Sequence, residues 1–146
     1  SNQFLTLYAS PNTFAVVDPN SRQKTDIGRI ADWVDLFSAR YEKKIKALSC
    51  QLERASSKRQ GVVIWGAGSK GVTFLNIFRD FQILYAVDLN PNKHGLYVPG
   101  TGQKIISPHF LKEYQPDIII IMNPKYEREI RQLKQQLGIQ AKLLTA

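Results

Sequence analysis

The 146-residue sequence contains one cysteine, two histidines and no long hydrophobic run. Because Cys50 is single, the chain can form neither an internal disulfide framework nor a cysteine-rich zinc site. Two histidines set apart in sequence also disfavour a metal site. The longest apolar run, residues 118–122, is far shorter than the roughly 18 residues that span a bilayer. No charged segment followed by an apolar one begins the sequence, so we expect no signal peptide and a cytoplasmic location.

The net charge of +8 favours a polyanionic partner such as nucleic acid, an acidic membrane or a phosphorylated ligand. Residues 40–59 alone hold seven lysines and arginines against two glutamates. These charges fall on the outer face of a predicted helix, where a solvated surface explains them. No helix-turn-helix, aromatic RNA-binding strand or zinc finger accompanies them. We therefore predict neither a nucleic-acid nor a membrane partner.

The first 60 residues divide into a leader and a helix. Residues 1–23 alternate briefly between apolar and polar and contain two turn motifs, which is typical of the tail of a preceding domain. Residues 24–60 are predicted to form a long amphipathic helix and a linker. Its apolar stripe follows spacings of three and four residues and comprises Ile27, Ile30, Val34, Phe37, Tyr41, Ile45, Leu48 and Leu52.

The predicted helix is longer than the surface of a small domain that could cover its apolar stripe. Thirty residues at 1.5 Å per residue make a rod of roughly 45 Å. An exposed stripe of that length would exceed the apolar patch that monomers usually tolerate. We therefore expect residues 27–37 to contact a missing domain or, as an alternative, a second copy of the chain in a homodimer.

Residues 61–146 alternate between predicted strands and helices. Strands are expected at residues 62–65, 83–87, 117–121 and 142–144, with helices at 72–81, from 107 and at 125–137, while residues 89–106 are expected to be a loop without regular structure. In the first of these helices, Val72, Leu75, Ile77 and Phe78 are predicted to point inward. The order predicts an α/β fold: a three-layer Rossmann-like domain with a small parallel sheet, preceded by the long helix. The strand at residues 62–65 should be central.

A G-x-G-x-x-G motif follows the first strand, with glycines at Gly66, Gly68 and Gly71. It stands between a predicted strand and a predicted helix, which is the context that phosphate binding requires. The glycines permit a tight turn, close approach of a phosphate and close helix packing, and Ser69 and Lys70 begin the helix. An NAD(P)-binding or other nucleotide-binding module is therefore one interpretation. Glycines kept only for packing are the structural alternative.

Further polar residues follow the carboxyl ends of the other strands. Asp88 ends the second strand, where a dinucleotide fold places the acid that binds a ribose hydroxyl. Lys93, His94 and Thr101 lie in the loop after it, and Asn123 follows the isoleucine strand. Because parallel strands bring these ends to one edge, we predict a single cleft mouth there. Its predicted substrate- or nucleotide-binding residues are Gly66, Gly68, Ser69, Lys70, Gly71, Asp88, Lys93, His94, Thr101 and Asn123.

These segments resemble one known family. Residues 65–76, 87–95, 99–101 and 116–121 are similar to the C-terminal, Rossmann-like domain of bacterial C-methyltransferases that depend on S-adenosylmethionine (SAM), such as those that methylate carbon 3 of thymidine-diphosphate-linked keto-deoxysugars. The resemblance covers residues 27–146. Where that family commonly has a proline and a tryptophan after the isoleucine strand, this chain has Asn123, Pro124, Lys125 and Tyr126.

The resemblance implies that catalysis and substrate binding involve different domains of a longer protein. In this family a central domain holds the methyl donor and the catalytic base, and the nucleotide-sugar lies between it and the C-terminal domain. We therefore expect no catalytic residue, no metal and no cofactor in this chain, which alone would be inactive. SAM would bind the parent protein outside this fragment, and the partners would be the missing methyltransferase domain and a small-molecule substrate. A non-catalytic interaction domain that uses the long helix is another alternative.

Overall fold

The computed structural model describes residues 23–146, with side chains from residue 28 onward. The predicted leader lies outside the described residues, apart from Gln23. The chain divides into two units, residues 1–42 and 43–146, and the boundary falls within one helix, α1 (Gln23–Ser57). None of the described helices is both long and apolar enough to cross a lipid bilayer.

The described part of the first unit is helical. It has no proline, so its backbone hydrogen bonds can continue without interruption. The guanidinium of Arg29 lies 5.4 Å from the ring centroid of Trp33, and the rings of Phe37 and Tyr41 stack at 6.0 Å. Its large apolar side chains are between 46% and 68% exposed: Ile30, Trp33, Val34, Leu36, Phe37 and Tyr41. We call these six the exposed apolar segment of α1.

The second unit contains a parallel sheet of five strands in the order β3-β2-β1-β4-β5. Its remaining elements are, in chain order, β1 (Val62–Trp65), α2 (Ser69–Ile77), β2 (Ile83–Val87), β3 (Lys104–Ile106), α3 (Leu111–Tyr114), β4 (Ile118–Ile121), α4 (Glu127–Gln136) and β5 (Lys142–Thr145). Strand β1 pairs in parallel with both β2 and β4. The predicted Rossmann-like α/β fold and the central position of the first strand are therefore confirmed.

Two apolar clusters make this unit three-layered. In β1, Val62 and Ile64 face a cluster that includes Leu48 and Leu52 of α1 and residues of α2. Val63 and Trp65, alternating with them, face a second cluster that includes residues of α3 and α4. Strands covered on both faces are apolar at every position, which is why β1 and β4 are continuous apolar runs.

Two predictions about local structure are wrong. Residues 89–106 are not free of regular structure, because they contain a 3-10 turn (Pro91–Lys93) and β3, which pairs with the edge of β2. Helix α2 begins at Ser69 and ends at Ile77, earlier than predicted. Ile77, which was predicted to point inward, is 41% exposed, because the buried face of α2 consists of Gly71, Phe74, Leu75 and, at its C-cap, Phe78.

Candidate ligand-binding edge of the sheet

The candidate site lies at the carboxyl ends of β1, β2 and β4. Strand β1 ends in the glycine turn, residues 66–71, and the neighbours of β1 lie on opposite sides, β2 on one and β4 on the other. The chain thus reverses its direction of winding at β1. Open α/β sheets bind ligands in the crevice at such a switch point, outside the carboxyl ends of the strands.

The first and third glycines of the turn have structural roles. Gly66 has φ of +117°, which residues with a side chain rarely adopt, and its N–H donates to the Val87 carbonyl at 2.7 Å. A Cβ on Gly71 would lie 2.0 Å from the Gly66 carbonyl oxygen. The turn and the start of α2 are therefore in direct contact, as the motif predicts.

The second glycine leaves open space. Gly68 is the N-cap of α2, no side chain caps the helix there, and a Cβ on Gly68 would meet nothing within 4 Å. Ser69 and Lys70 follow it and are exposed. The first N–H groups of a helix lack intrahelical partners and carry partial positive charge. An anion can therefore approach the turn at Gly68, next to the exposed Lys70.

Asp88 connects the glycine turn to the end of β2. Its Oδ2 accepts hydrogen bonds from the Ala67 N–H at 3.0 Å and from Lys93 Nζ at 2.9 Å. Its Oδ1 accepts the Asn90 N–H at 2.9 Å. Burial alone would raise the pKa of Asp88, but these hydrogen bonds and the positive charge of Lys93 outweigh that effect and lower the pKa.

Residues 88–94, here the 88–94 loop, are held by their own hydrogen bonds. The side chain of Asn90 accepts the Asn92 N–H at 3.0 Å and caps the 3-10 turn. His94 Nε2 lies 2.7 Å from the Asp88 carbonyl oxygen. Because a carbonyl only accepts, that ring nitrogen carries the hydrogen. His94 and Lys93 therefore both fold back on Asp88.

The remaining predicted site residues, Thr101 and Asn123, form no hydrogen bond with this cluster. Thr101 is half-buried, and its Oγ1 is buried without a hydrogen-bond partner. Asn123 accepts the Lys125 N–H at 3.3 Å and caps a short 3-10 turn after β4. Next to it, Met122 contacts the turn, since a Cβ on Gly66 would lie 3.2 Å from the Met122 Cβ.

Sequence reasoning missed two residues, one at this edge and one that holds the loop leading away from it. Ala67 contributes both its N–H and its carbonyl oxygen to the cluster around Asp88. Asn76 of α2 donates to the Pro99 carbonyl at 3.1 Å and so ties the loop before β3 to the helix. Ala67 acts through its backbone, so its residue type gave no signal. Asn76 was detectable, because an asparagine inside a helix needs a hydrogen-bond partner for its side chain.

No metal centre emerges in the part of the chain that the structure describes, since no three histidine, cysteine, aspartate or glutamate side chains there form a group that could hold an ion. The edge instead offers backbone N–H groups, lysine ammonium groups and amide side chains. These are donors for the oxygen atoms of a phosphate or a sugar.

Comparison with known proteins gives the family. The model of the family described as "C-methyltransferase C-terminal domain" matches residues 21–145. The chain belongs to this family. The match runs through both the long helix and the parallel sheet, and it agrees with the resemblance found from the sequence motifs. No curated protein matched the chain.

Among solved structures, the chain is similar to RSP, a Rex-family repressor, with 17% identity over 60% of this chain and 52% of that one, at a TM-score of 0.46. The complex of RSP with beta-NADH has 19% identity over 60% and 53%, also at 0.46. UDP-D-quinovosamine 4-dehydrogenase from Vibrio fischeri has 20% identity over 59% and 76%, at 0.47. The chain thus spans about half the length of the repressor chains it matches.

Proposed function

We propose that this C-methyltransferase C-terminal domain is the substrate-side domain of a SAM-dependent enzyme that methylates a nucleotide-linked sugar or a similar small molecule. Membership of the family supports a methyltransferase as the parent protein. In this proposal SAM and the catalytic base belong to a domain that precedes the chain. The role of the described residues is to bind and orient the phosphorylated part of the substrate.

The uncapped start of α2 beside the switch point is the observation that carries the substrate-binding role. The space at Gly68 and the exposed Lys70 lie on the turn that ends the central strand. Backbone N–H groups at a helix start and a nearby ammonium group suit a diphosphate. Asn123 follows the neighbouring strand β4 and offers amide atoms for a sugar or a base.

Replacing Lys70 with alanine in the parent enzyme tests this role. The loss of one charge-assisted hydrogen bond costs roughly 1.5–3 kcal/mol, so we expect the KM for the phosphorylated acceptor to rise about ten- to a hundredfold. The KM for SAM should stay unchanged. Initial-rate kinetics with each substrate varied in turn give both values.

Lys112→Ala is the matched control for that experiment. Lys112 is an exposed lysine on α3, so its replacement makes the same change in net charge. We expect neither KM to change in this variant. If Lys70→Ala instead weakens SAM and leaves the acceptor KM unaltered, the glycine turn serves a different ligand and the proposal is wrong.

The exposed apolar segment of α1 is the second part of the proposal, and we assign its contact to the preceding methyltransferase domain. The segment lies in residues 28–42, adjacent in sequence to where that domain would join. Six large apolar side chains, each about half exposed or more, exceed what monomers usually leave in water. A domain tethered at this end has a high effective concentration, which favours it over a second copy of the chain.

Light scattering at several concentrations tests this contact. The 146-residue chain should self-associate through the uncovered segment, and Phe37→Glu should make it monomeric. The parent protein should be monomeric with or without that substitution. A parent protein that is a dimer and becomes monomeric with Phe37→Glu would instead assign the segment to a second copy.

A further inference from the structure

The carboxylate of Asp88 stands where dinucleotide-binding folds place an acid for the ribose. In those folds the acid at the end of the second strand, about 20 residues after the glycine motif, accepts hydrogen bonds from the ribose hydroxyl groups. Asp88 follows Gly71 by 17 residues and ends β2, so its position in the topology is the same. The surroundings of its carboxylate differ.

The ammonium group of Lys93 bridges the two strand ends at this point. Lys93 Nζ lies 2.9 Å from Asp88 Oδ2 and 3.3 Å from the Ala67 carbonyl oxygen. The Ala67 N–H donates to the same Oδ2 at 3.0 Å. The Asp88 side chain is 13% exposed and that of Lys93 is 35% exposed. The Asp88 carboxylate is therefore largely shielded from solvent, whereas Lys93 is about one-third exposed, and its ammonium group lies between the glycine turn and the acid.

The 88–94 loop holds Lys93 in this place. Both Asp88 Oδ1 and Asn90 Oδ1 accept backbone N–H groups of the loop, and His94 Nε2 donates to the Asp88 carbonyl. The N–H groups of Lys93 and His94 donate to the carbonyls of Asn90 and Pro91 at 3.1 Å each. Lys93 thus starts from a turn whose backbone is closed by hydrogen bonds, and its side chain reaches Asp88 and Ala67 from there.

We infer that Lys93 is a specificity-determining residue whose ammonium group takes a hydrogen-bonding position on Asp88 that a dinucleotide ribose would need, so that the glycine turn rejects NAD-type dinucleotides. An adenosine ribose would have to displace Lys93 from Asp88. The β2 side of the turn is closed to it, and a ligand approaches the turn at Gly68. This inference stands apart from the proposed methyltransferase role.

Titration of the 146-residue chain with NADH, followed by the fluorescence of the nicotinamide, tests the inference. The unaltered chain should show no saturable binding up to about 1 mM NADH. Lys93→Met removes the ammonium group and keeps an apolar stem of similar length. Because this substitution removes one charge-assisted partner of Asp88, the variant should bind NADH at least about tenfold more tightly than that 1 mM limit.

Two further variants make the test specific. Lys93→Met combined with Asp88→Asn should lose the gain, because the ribose then lacks its carboxylate. Lys112→Met removes a lysine outside this edge and should behave as the unaltered chain. Circular dichroism shows whether each variant is folded, and Lys93→Ala replaces Lys93→Met if the latter is not.

Three results would overturn the inference. Micromolar binding of NADH by the unaltered chain would show that Lys93 does not exclude this dinucleotide. A folded Lys93 variant with unchanged NADH affinity would show that Lys93 is not what excludes it. A gain that persists in the double variant would show that the ribose does not use Asp88.

Discussion

The two halves of α1 have the same apolar periodicity, but the apolar side chains are buried in one half and exposed in the other. In residues 43–57, Leu48, Leu52 and Ala55 are 7%, 4% and 2% exposed and belong to the core of the sheet domain. In residues 28–42, Val34 and Phe37 are 58% and 68% exposed. Periodicity therefore predicted which face of the helix is apolar in both halves, and it did not predict what covers that face.

The comparison separates two kinds of apolar residue. Those of the second half are required for the fold of the chain itself, because their burial contributes to its stability. Those of the first half contribute little to the stability of the described chain, since unfolding changes their exposure less. We propose that these residues instead stabilise the contact with the preceding domain.

Two leucine substitutions are expected to show this contrast at its largest. Leu52→Ala removes a buried side chain and should lower the free energy of unfolding by about 2–5 kcal/mol. Leu36→Ala makes the same chemical change at a side chain that is 48% exposed, and it should alter that free energy by no more than about 0.5 kcal/mol. Urea denaturation of both variants at low protein concentration measures the two values.

Equal losses in the two variants would contradict the comparison. They would mean that Leu36 is covered in the isolated chain. A Leu36→Ala loss that appears only at higher protein concentration would instead reflect the self-association expected of the isolated chain.

Two glycines of the turn also differ in how tightly their surroundings are packed, which predicts different costs for the same substitution. Gly71→Ala places a Cβ 2.0 Å from the Gly66 carbonyl oxygen, so the backbone must shift, and we expect a loss of about 3 kcal/mol. Gly68→Ala places its Cβ in open space and should cost less than about 1 kcal/mol, as expected for alanine at an N-cap. Thermal or urea unfolding distinguishes them.

The same pair also tests the ligand role of the turn. In the parent enzyme, Gly68→Ala should raise the KM for the acceptor although the fold is kept, because its methyl group stands where an anion would approach. An unaltered acceptor KM in folded Gly68→Ala would show that the open space is not used.

Much of the fold follows from local sequence features. The apolar runs that became β1, β2 and β4 were located to within a residue, because buried parallel strands are apolar at every position. Strand β3 was missed because it has only three residues, Lys104–Ile106, and exists through pairing with the edge of β2. Such pairing depends on the tertiary fold and leaves almost no trace in a short sequence.

The site was predictable in outline only. Topology placed Asp88, Lys93 and the glycine turn at one edge, and the structure joins them through Ala67. The sequence did not reveal that Asp88 and Lys93 bind each other rather than remaining open to a ligand. Both side chains suit a ligand equally well by residue type, and only their distance decides between the two uses.

The ion pair of Asp88 supplies the last contrast, with a defined dependence on pH. The pKa of Asp88 is lowered in the folded chain from an unfolded value of about 3.9, so its contribution to stability is fully present above about pH 5. The contribution is lost as the pH falls through the folded pKa, because the carboxyl group must then be protonated in the folded state. Asp88→Asn should cost about 1.5 kcal/mol at pH 7, the lower end for hydrogen bonds to a charged group, since the amide oxygen still accepts.

Urea denaturation at pH 7, 5, 4 and 3 measures this effect. The difference in unfolding free energy between the original chain and Asp88→Asn should be constant from pH 7 to 5 and should shrink below that. Asp117→Asn is the matched control, because Asp117 Oδ2 also accepts a backbone N–H, from Gly61 at 2.7 Å, without a lysine partner in the described contacts. A difference for Asp88→Asn that grows toward pH 3 would mean that the pKa is raised, and the pairing with Lys93 would then be wrong.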